Sequence, residues 1–278
     1  MINKYFIYDI LEYDQSIFNF ALVFTNKDQM ALKTEFATQG NFLFRYRSYF
    51  PIMLLPLAAW VIYLQRGDAI FESSSLLKLE YLAIIICTVG LIIRIITVGF
   101  TPANTSGRNT AQGQVADTVN TQGMYSLVRH PLYVGNFFMW LGIAVLTANF
   151  WFILSFIFAY WLYYERIMYA EEDFLTTKFG SRYTDWTAVT PAFIPRLGGW
   201  KGSDLTFSIK KVLKKEKNGL FAIFLLVWIF DIYVNYLKSG QFIVFTTHLF
   251  WLMALTGVTY FILKVIKKYT NILDEEGR

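Results

Sequence analysis

The feature that most constrains the fold is an apolar run from Val134 to Tyr164 that contains no Asp, Glu, Lys or Arg. About 20 apolar residues cross the hydrocarbon core of a bilayer, so this run can enter and leave a membrane as a helical hairpin. Its arms, Tyr133–Thr147 and Phe150–Ile167, meet at residues 148–149, and the first arm is short. Polar, titratable residues gather at both feet of this hairpin, where a membrane enzyme would place its chemistry.

Four further apolar runs accompany the hairpin, and 55% of all residues are hydrophobic against 16% that are charged. The runs are Tyr49–Leu64, Leu79–Phe100, Leu220–Leu237 and Gln241–Val265. The prolines in the first run are compatible with a membrane helix. The sequence therefore predicts an all-α protein, a polytopic transmembrane helical bundle of about six spans that includes the short hairpin.

Basic residues accumulate at one set of span ends, and such an excess marks the cytoplasmic side of short loops. One set carries six lysines between residues 201 and 217 together with Arg45, Arg47, Lys264, Lys267 and Lys268, and the other carries only Arg66, Lys78 and Lys238. This pattern predicts an integral membrane protein with both termini and both feet of the hairpin in the cytoplasm. Because the basic residues flank apolar spans rather than forming an aromatic-interleaved stripe, nucleic acid is not an expected partner.

The chain divides into three segments. Residues 1–45 carry an apolar stripe at helical spacing and are expected to form an amphipathic segment, which either lies at the membrane interface or packs on the rest of the protein. Residues 46–197 form the core, with polar motifs at 118–135 and 165–183. Residues 198–278 form a basic linker and a C-terminal transmembrane hairpin.

The first motif ends in Arg129-His130-Pro131. Proline disfavours a helical conformation at His130, so a helix can begin directly after it. Arginine, histidine and free backbone N–H groups at a helix start suit a carboxylate, a phosphate or a ribose. Alternatively, Arg129 reaches lipid headgroups while His130 only caps the span. The polar loop 101–122 before this motif has no obvious secondary structure, and such long loops are uncommon unless they are functional or disordered.

The second motif contains Glu165, Glu171 and Glu172. On a helix Glu165 and Glu172 share a face, whereas Glu171 points about 100° away from Glu172. A carboxylate here can hold a cationic group such as the ammonium of an amino acid, or it can belong to a solvated helix surface. Arg94 lies inside the second span, where ionisable groups are rare and often functional. It can meet an anionic headgroup, a substrate anion or the membrane interface.

Other polar residues offer less chemistry. Asp231 and His248 lie at matching depths in the last two spans and are expected to hydrogen-bond as a structural clasp. With only two histidines, His130 and His248, and one cysteine, Cys87, the usual zinc ligand sets cannot be assembled, so no metal site is expected. The sequence also lacks a glycine-rich phosphate loop and an obvious hydrolase triad.

Together, the two motifs resemble those of the isoprenylcysteine carboxyl methyltransferase family, which belongs with the phospholipid methyltransferases among integral-membrane enzymes that use S-adenosylmethionine. The resemblance covers about residues 80–197. It rests on Gly123-x-Tyr125-x-x-x-Arg129-His130-Pro131-x-Tyr133-x-Gly135, on Glu171-Glu172-x-x-Leu175-x-x-x-Phe179-Gly180-x-x-Tyr183 and on Pro191-x-Phe193-x-Pro195.

The resemblance implies a pocket for S-adenosylmethionine on the cytosolic side. Its expected cofactor-binding residues are Thr118, Val119, Asn120, Tyr125, Leu127, His130, Pro131, Leu132, Tyr133, Glu171 and Glu172. The prenylcysteine enzymes carry a substrate-contacting arginine four residues before the matched glutamate, where this chain has Ile167, and the adjacent Arg166 points about 100° away on a helix. The catalytic candidates are Arg129, Arg166 and Glu165, and the expected substrate-binding residues are Arg94 and Arg166.

The leading hypothesis is therefore an S-adenosylmethionine-dependent methyltransferase that acts on a membrane lipid or lipidated acceptor by O-methylation of a carboxylate or a lipid phosphate. N-methylation of a phospholipid headgroup is the first alternative. An NADPH-dependent membrane reductase of the steroid reductase type and a non-enzymatic membrane scaffold are further alternatives. Methyl transfer needs no metal, and aromatic walls such as Tyr125 and Tyr133 suit a sulfonium.

Overall fold

The computed structural model describes residues 32–278 except 48, 72, 104, 106–107, 111–112, 243 and 246–247. Within these residues the chain forms eight α-helices. They are α1 Leu32–Arg45, α2 Phe50–Leu64, α3 Ser73–Gly99, α4 Pro131–Val145, α5 Phe150–Phe179, α6 Ser181–Thr187, α7 Ile209–Ser239 and α8 His248–Tyr269. Most of the predicted N-terminal amphipathic segment lies outside the described residues, and its last part, 32–45, is helix α1.

The predicted membrane helical bundle is confirmed. Helices α3, α7 and α8 contain stretches long and apolar enough to cross a bilayer, and α2 and α4 are shorter apolar helices. Large apolar side chains on these helices are exposed, among them Trp60, Ile85, Trp251 and Phe261. Exposed apolar surface of this extent is typical of a protein that faces lipid. Each of the six predicted spans corresponds to one helix, namely α2 to α5, α7 and α8.

Three details differ from the sequence-based expectations. Helix α5 continues from the span through both glutamates to Phe179, because no proline or glycine interrupts it. Helix α8 begins at His248 rather than at Gln241, since Gly240 ends α7 in the left-handed conformation and the β-branched residues that follow disfavour an immediate helix. The polar loop 101–122 contains a small antiparallel hairpin of β1 Arg108–Thr110 and β2 Gly113–Val115.

Helices α3 and α4 cross at close distance because small residues line their contact. A methyl group added at Gly142 would lie 2.4 Å from the Sγ atom of Cys87 and 2.6 Å from the carbonyl oxygen of Ala83. A methyl group added at Gly135 would lie 2.5 Å from the Cγ atom of Arg94. Close approach through small residues is typical of membrane helices. It presses Arg94 against the first half of α4, beside the polar foot of the hairpin.

A largely aromatic core surrounds α5. Its buried members include Phe44 of α1, Tyr133 of α4, and Tyr160 and Ile167 of α5. The hydroxyl of Tyr160 donates a hydrogen bond of 2.7 Å to the carbonyl oxygen of Tyr133, which ties the two arms of the hairpin together. This core therefore holds the feet of α4 and α5 in a fixed relation.

The expected clasp between Asp231 and His248 is wrong. Asp231 is buried and accepts a hydrogen bond of 2.7 Å from Nδ2 of Asn235, and its carboxyl group faces that of Glu80 on α3. His248 instead stacks on the ring of Tyr81, with 5.6 Å between the ring centroids. Glu80 and Tyr81 are adjacent on α3, so Asp231 and His248 lie at similar depth but contact different faces of that helix.

The ends of α3, α7 and the chain itself meet at one end of the bundle. The backbone N–H of Ser208, before α7, donates to the carbonyl oxygen of Gly99 at 2.9 Å. The Nη1 atom of Arg278 donates to the same carbonyl at 3.1 Å. Lys211 of α7 donates to the carbonyl oxygen of Pro102 at 3.0 Å. These contacts pack the start of α7 and the last residues against the beginning of the loop that leads into the first motif.

Candidate functional site

The segment before α4 is fixed by a second segment that runs alongside it. It begins at Gly123, whose φ of +58° is easily adopted only by glycine. Further on, the N–H of Arg129 donates to the carbonyl of Pro191 at 2.8 Å and the N–H of His130 donates to the carbonyl of Ala192 at 3.2 Å. The proline-rich segment therefore takes the backbone N–H groups of these two residues and fixes where His130 lies.

His130 is held by both glutamates of the second motif. Its Nε2 atom lies 2.8 Å from Oε1 of Glu172, and its Nδ1 atom lies 3.6 Å from Oε2 of Glu171. Glu172 also accepts a hydrogen bond of 2.9 Å from Nε of Arg129, and Glu171 accepts one of 2.9 Å from the hydroxyl of Tyr133. The His130 ring stacks on Tyr133 with 5.5 Å between the centroids. The two motifs thus meet in one hydrogen-bonded network at the feet of the hairpin.

The two glutamates point in different directions, and their surroundings differ accordingly. Glu171 lines the adjacent cavity, whereas Glu172 lies behind Arg129 and His130. Burial alone would raise the pKa of Glu172, but the hydrogen bond and charge of His130, together with the charge of Arg129, hold this pKa below its ordinary value. Burial and the charges of both glutamates raise the pKa of the Tyr183 hydroxyl, which therefore stays protonated.

A cavity of about 800 Å³ lies beside this network. One end is polar and is lined by the first motif and the loop before it, with contributions from Glu171, Tyr183 and Trp186. The other end reaches between α4 and α7 and is lined by the apolar side chains Met139, Trp140, Ile143, Ile223 and Leu226. The cavity therefore connects a polar site to the membrane-embedded interior of the bundle.

Arg94 lies between these two ends. Its Nε and Nη2 atoms form a bidentate salt bridge with Glu216 of α7, at 2.7 and 2.8 Å, and its Nη1 atom donates to Oδ1 of Asn136 at 2.6 Å. Asn136 stands one turn beyond Leu132 and one turn before Trp140 on α4, so it places the guanidinium midway along the cavity. The prediction that Arg94 belongs to the site agrees with this position, and its carboxylate partner comes from the C-terminal hairpin.

Most of the predicted site residues line the cavity. Its wall includes Thr118, Val119, Asn120, Tyr125, His130, Leu132, Tyr133 and Glu171 of the expected cofactor set, together with Arg94 and Arg129. Two others lie beneath the wall. The carbonyl of Leu127 accepts a hydrogen bond of 2.9 Å from the N–H of Arg196, and Pro131 is buried at the start of α4.

Arg166 and Glu165 lie away from the cavity. The Nε atom of Arg166 donates to Oε1 of Gln39 at 2.8 Å, and its guanidinium lies 4.9 Å from the ring centroid of Phe36, so this side chain faces α1. Glu165 is half-buried on α5 and is not among the cavity-lining residues. Ile167 is fully buried in the aromatic core. The geometry gives Arg166 a packing role, and neither Arg166 nor Glu165 is retained in the site proposed below.

Some cavity residues escaped the sequence reasoning. In the sequence, Arg45 and Arg47 indicate only topology, and three cavity residues of α7 lie in the segment that reads as a basic linker: Lys211, Lys215 and Glu216. Asn136 carried a usable signal, because an amide inside an apolar span requires a hydrogen-bonding partner. Glu216 carried no signal, since a glutamate among lysines is ordinarily a solvated surface residue.

The phospholipid methyltransferase family model matches residues 79–182. The cobalt-zinc-cadmium resistance protein CzcN of Cupriavidus metallidurans is 31% identical over 164 residues, which are 58% of this chain and 69% of that protein. The protein-S-isoprenylcysteine O-methyltransferase of Schizosaccharomyces pombe is 40% identical over 76 residues, 27% of this chain and 32% of that protein. The Xenopus laevis enzyme of the same name is 26% identical over 150 residues, 53% of this chain and 51% of that protein.

The family-model match contains both motifs and the hairpin between them, and α7 and α8 lie beyond it. The chain spans about a third to a half of the two isoprenylcysteine enzymes, so their acceptor is not transferred to it by similarity alone. No solved structure matches the chain significantly. The described residues hold no group of three or more His, Cys, Asp or Glu side chains that could bind a metal ion.

Proposed function

We propose a reaction for this chain, which belongs to the isoprenylcysteine carboxyl methyltransferase and phospholipid methyltransferase family of integral-membrane methyltransferases. It transfers the methyl group of S-adenosylmethionine to a carboxylate or phosphate oxygen of a lipid-like acceptor. The observation that carries this proposal is the cavity that joins the motif residues to an apolar end between α4 and α7. A water-soluble donor and a membrane-embedded acceptor can meet in a cavity of that shape.

The polar end of the cavity fits the donor. S-adenosylmethionine carries two cationic groups, a sulfonium and an ammonium. The rings of Tyr125 and Tyr133 form part of the wall and suit the sulfonium through cation–π attraction. The carboxylate of Glu171 also lines the wall and suits the ammonium through a charge-assisted hydrogen bond. His130 completes this wall and is held from behind by Glu172, which in turn accepts a hydrogen bond from Arg129.

The charges around the cavity favour an anionic acceptor. Among the described residues its wall carries two carboxylates, Glu171 and Glu216, and six basic side chains: Arg45, Arg47, Arg94, Arg129, Lys211 and Lys215. S-adenosylmethionine carries one carboxylate, which can offset only part of this basic excess. A carboxylate or phosphate on the acceptor would offset the mutual repulsion of these side chains.

The same charges bear on Ile167, the position at which this chain differs from the prenylcysteine enzymes. The prenylcysteine enzymes have a substrate-contacting arginine at that position, and here it is buried and apolar. Positive charge reaches the cavity from other elements instead, namely from Arg94 on α3, from Arg45 at the end of α1 and from Arg47 shortly after it. An anionic acceptor therefore remains compatible with the site although the family's arginine position is changed.

The chain's own residues have a simple task in this reaction. When bound, S-adenosylmethionine supplies an electrophilic methyl group, and an acceptor oxygen that is already ionised needs no base to activate it. The residues of the wall have to hold the two reactants in line, an effect that can be worth several kcal/mol. Arg94 is placed to anchor the acceptor's anionic group midway along the cavity, and the apolar end keeps water from the acceptor oxygen.

N-methylation of a phospholipid headgroup is the competing reaction, since the matched family model is that of phospholipid methyltransferases. An ammonium acceptor must first lose a proton to a base. Neither cavity carboxylate is left to act as this base, because Glu171 is assigned to the ammonium of the donor and Glu216 is held by the guanidinium of Arg94. O-methylation of an anionic group therefore fits the contacts better.

The site is proposed to open to the cytoplasm, with both termini on the same side. Lysines and arginines gather at the end of the bundle where α7 starts and α8 ends, and cytoplasmic loops carry such an excess. The backbone bridge between Gly123 and Lys201 ties the first motif to that same basic end. Donor from the cytosol and acceptor from the bilayer would then enter from different directions.

Thermal unfolding of the purified full-length protein tests the donor site. S-adenosylhomocysteine should raise the unfolding temperature, because a ligand that binds the native state stabilises it by mass action. His130→Ala and Glu171→Ala should lose this shift, whereas Glu165→Ala, outside the cavity, should keep it. No shift well above micromolar S-adenosylhomocysteine, or a shift with NADPH instead, would contradict the proposal.

A labelled-methyl assay on extracted membrane lipids tests the acceptor. O-methylation predicts label that alkaline hydrolysis releases as methanol, readily from a carboxylate ester and more slowly from a phosphate ester. Label that stays with the lipid through alkali would instead identify an N-methyl product. That outcome would overturn the anionic acceptor while leaving the donor site intact.

A further inference from the structure

Helices α7 and α8 run antiparallel and bring lysines together where their apolar contact ends. The rings of Phe221 and Tyr260 stack across this contact with 5.3 Å between their centroids. One helical turn from that stack, towards the basic end of the bundle, stand Lys217 on α7 and Lys264 on α8. The two ammonium groups therefore lie on facing sides of the contact between α7 and α8, which we call the seam.

Lys217 is the unusual member of this group. It is only 7% exposed, and lysine is almost never fully buried unless it is paired. Among the described residues its ammonium donates to one acceptor, the carbonyl oxygen of Lys214 at 2.6 Å, although an ammonium has three donors. The charges that act on it are those of Lys267, Lys214 and Lys264. The preference of lysine for cytoplasmic loops explains lysines at this end, but it does not explain a buried lysine that faces two others.

The nearby carboxylates are engaged elsewhere. Asp274 forms a salt bridge with Lys214, Glu275 accepts a hydrogen bond from Ser208, and Glu216 is held by Arg94. In the part of the chain that the structure describes, no carboxylate forms an ion pair with Lys217, Lys264 or Lys267. The seam thus lacks an anion of its own.

An apolar surface continues directly from these lysines along α8. Its outer face exposes Val258, Phe261, Ile262 and Val265, and α8 is one of the helices long and apolar enough to cross a bilayer. Val265 and Lys264 are neighbours in sequence, so the basic seam and the apolar face meet at one level. A molecule with a phosphate and acyl chains matches both features, whereas inorganic phosphate matches only the first.

We propose that Lys217, Lys264 and Lys267 bind the phosphate of an anionic phospholipid whose acyl chains lie along the outer face of α8. The phosphate supplies the counter-charge that the seam lacks, and three ammonium groups can satisfy its oxygens. None of the three lysines lines the reaction cavity, so this site is separate from the one that carries methyl transfer. The bound lipid fastens the hairpin of α7 and α8, whose first turns place Lys215 and Glu216 in the cavity wall.

The test uses the purified full-length protein in a neutral detergent and measures its unfolding temperature. Short-chain phosphatidylglycerol should raise this temperature, phosphatidylcholine with the same acyl chains should not, and inorganic phosphate at equal concentration should raise it far less. The double variant Lys264→Gln, Lys267→Gln should lose most of the phosphatidylglycerol shift. The matched variant Lys78→Gln, Lys238→Gln loses the same charge at the opposite end of the bundle and should keep the shift.

A second variant keeps the proposal testable if the Lys264→Gln, Lys267→Gln protein does not fold. Lys217→Met removes the buried ammonium, so it should raise the unfolding temperature in phosphatidylcholine and respond less to phosphatidylglycerol. An equal shift with inorganic phosphate would show that the site takes a free anion rather than a lipid. An equal loss in both double variants would reduce the effect to general charge attraction. Either result, or a phosphatidylglycerol shift that survives Lys264→Gln, Lys267→Gln, would overturn the proposal.

Discussion

Tyr133 links the two motifs, because its ring stacks on His130 and its hydroxyl donates a hydrogen bond to Glu171. If Glu171 receives the ammonium of the donor, Tyr133→Phe should weaken S-adenosylhomocysteine binding roughly fivefold, or about 1 kcal/mol, measured by calorimetry. Tyr163→Phe is the matched control, because that hydroxyl bonds the carbonyl of Leu43 outside the cavity. Equal affinities in Tyr133→Phe and the parent protein would remove Glu171 from the donor site.

The lowered pKa of Glu172 in the folded protein predicts how stability depends on pH. Its pKa in the folded protein lies below the ordinary value of 4.5, so its ionised form stabilises the fold above that value. This contribution is lost as the pH falls through the lower folded-state pKa. As the pH falls below 4.5, the unfolding temperature should therefore drop more steeply in the parent protein than in Glu172→Gln.

Asp173→Asn supplies the control for this measurement. It also removes one carboxylate from α5, but Asp173 is about half exposed and its nearest cation, Lys33, is 3.9 Å away. Its pH profile should follow that of the parent protein. Parallel profiles for Glu172→Gln and the parent would mean that the contacts of Glu172 with His130 and Arg129 add no net stability.

The sequence singled out those cavity-lining residues whose signal is local. His130, Tyr125 and Glu171 belong to motifs with fixed spacing, and all three line the cavity. Arg166 misled because helical spacing gives the direction of a side chain relative to its own helix but not the position of the neighbouring helix. Here α1 lies on that side, and Gln39 takes the guanidinium.

At the scale of elements, the crossing of α3 and α4 decides where Arg94 lies. Gly142→Ala would place a methyl group 2.4 Å from the sulfur of Cys87 and 2.6 Å from the carbonyl oxygen of Ala83. We expect it to lower the free energy of unfolding by about 1–3 kcal/mol, because the helices must separate or distort. The measurement is unfolding in detergent, compared with that of the parent protein.

Two further variants sharpen this prediction. Gly198→Ala is the control, since an added methyl group there meets nothing within 4 Å. Cys87→Ala in the Gly142→Ala background should recover part of the loss, because it removes the sulfur but leaves the carbonyl of Ala83. Full stability of Gly142→Ala alone would show that the crossing is looser than the structure has it.

Apolar run length predicted each of the six spanning helices but not all of their ends. Helix α5 continues from a membrane span into a polar segment, so its composition changes along its length while its backbone stays helical. Similar depth did not make Asp231 and His248 partners, because they contact Glu80 and Tyr81, which point about 100° apart on α3. The hairpin of β1 and β2 depends on pairing within a polar loop, which carries no apolar alternation to reveal it.

At the scale of the whole molecule, the C-terminal hairpin is part of the proposed reaction cavity. Helix α7 lines it with Glu216, Gly219, Ile223 and Leu226, although the family model ends at residue 182. The polar, donor-facing end comes mainly from the matched region, whereas the apolar end is shared with α7. Sequence alone could not join them, because the contact between Arg94 and Glu216 bridges parts of the chain that no local pattern relates.

The salt bridge between Arg94 and Glu216 can be tested by removing one or both partners. Glu216 is 4% exposed, so Glu216→Ala would leave the guanidinium of Arg94 without its bidentate partner and should cost about 3 kcal/mol of stability. Arg94→Met combined with Glu216→Leu removes both charges and should recover most of that stability. The double variant should also bind S-adenosylhomocysteine normally. Yet the KM for its acceptor should rise about tenfold or more, equivalent to about 1.4 kcal/mol, because the proposed anchor for the acceptor's anionic group is gone. Normal acceptor kinetics in the double variant would show that Arg94 only fastens α7 to α3 and that another basic side chain of the wall holds the acceptor.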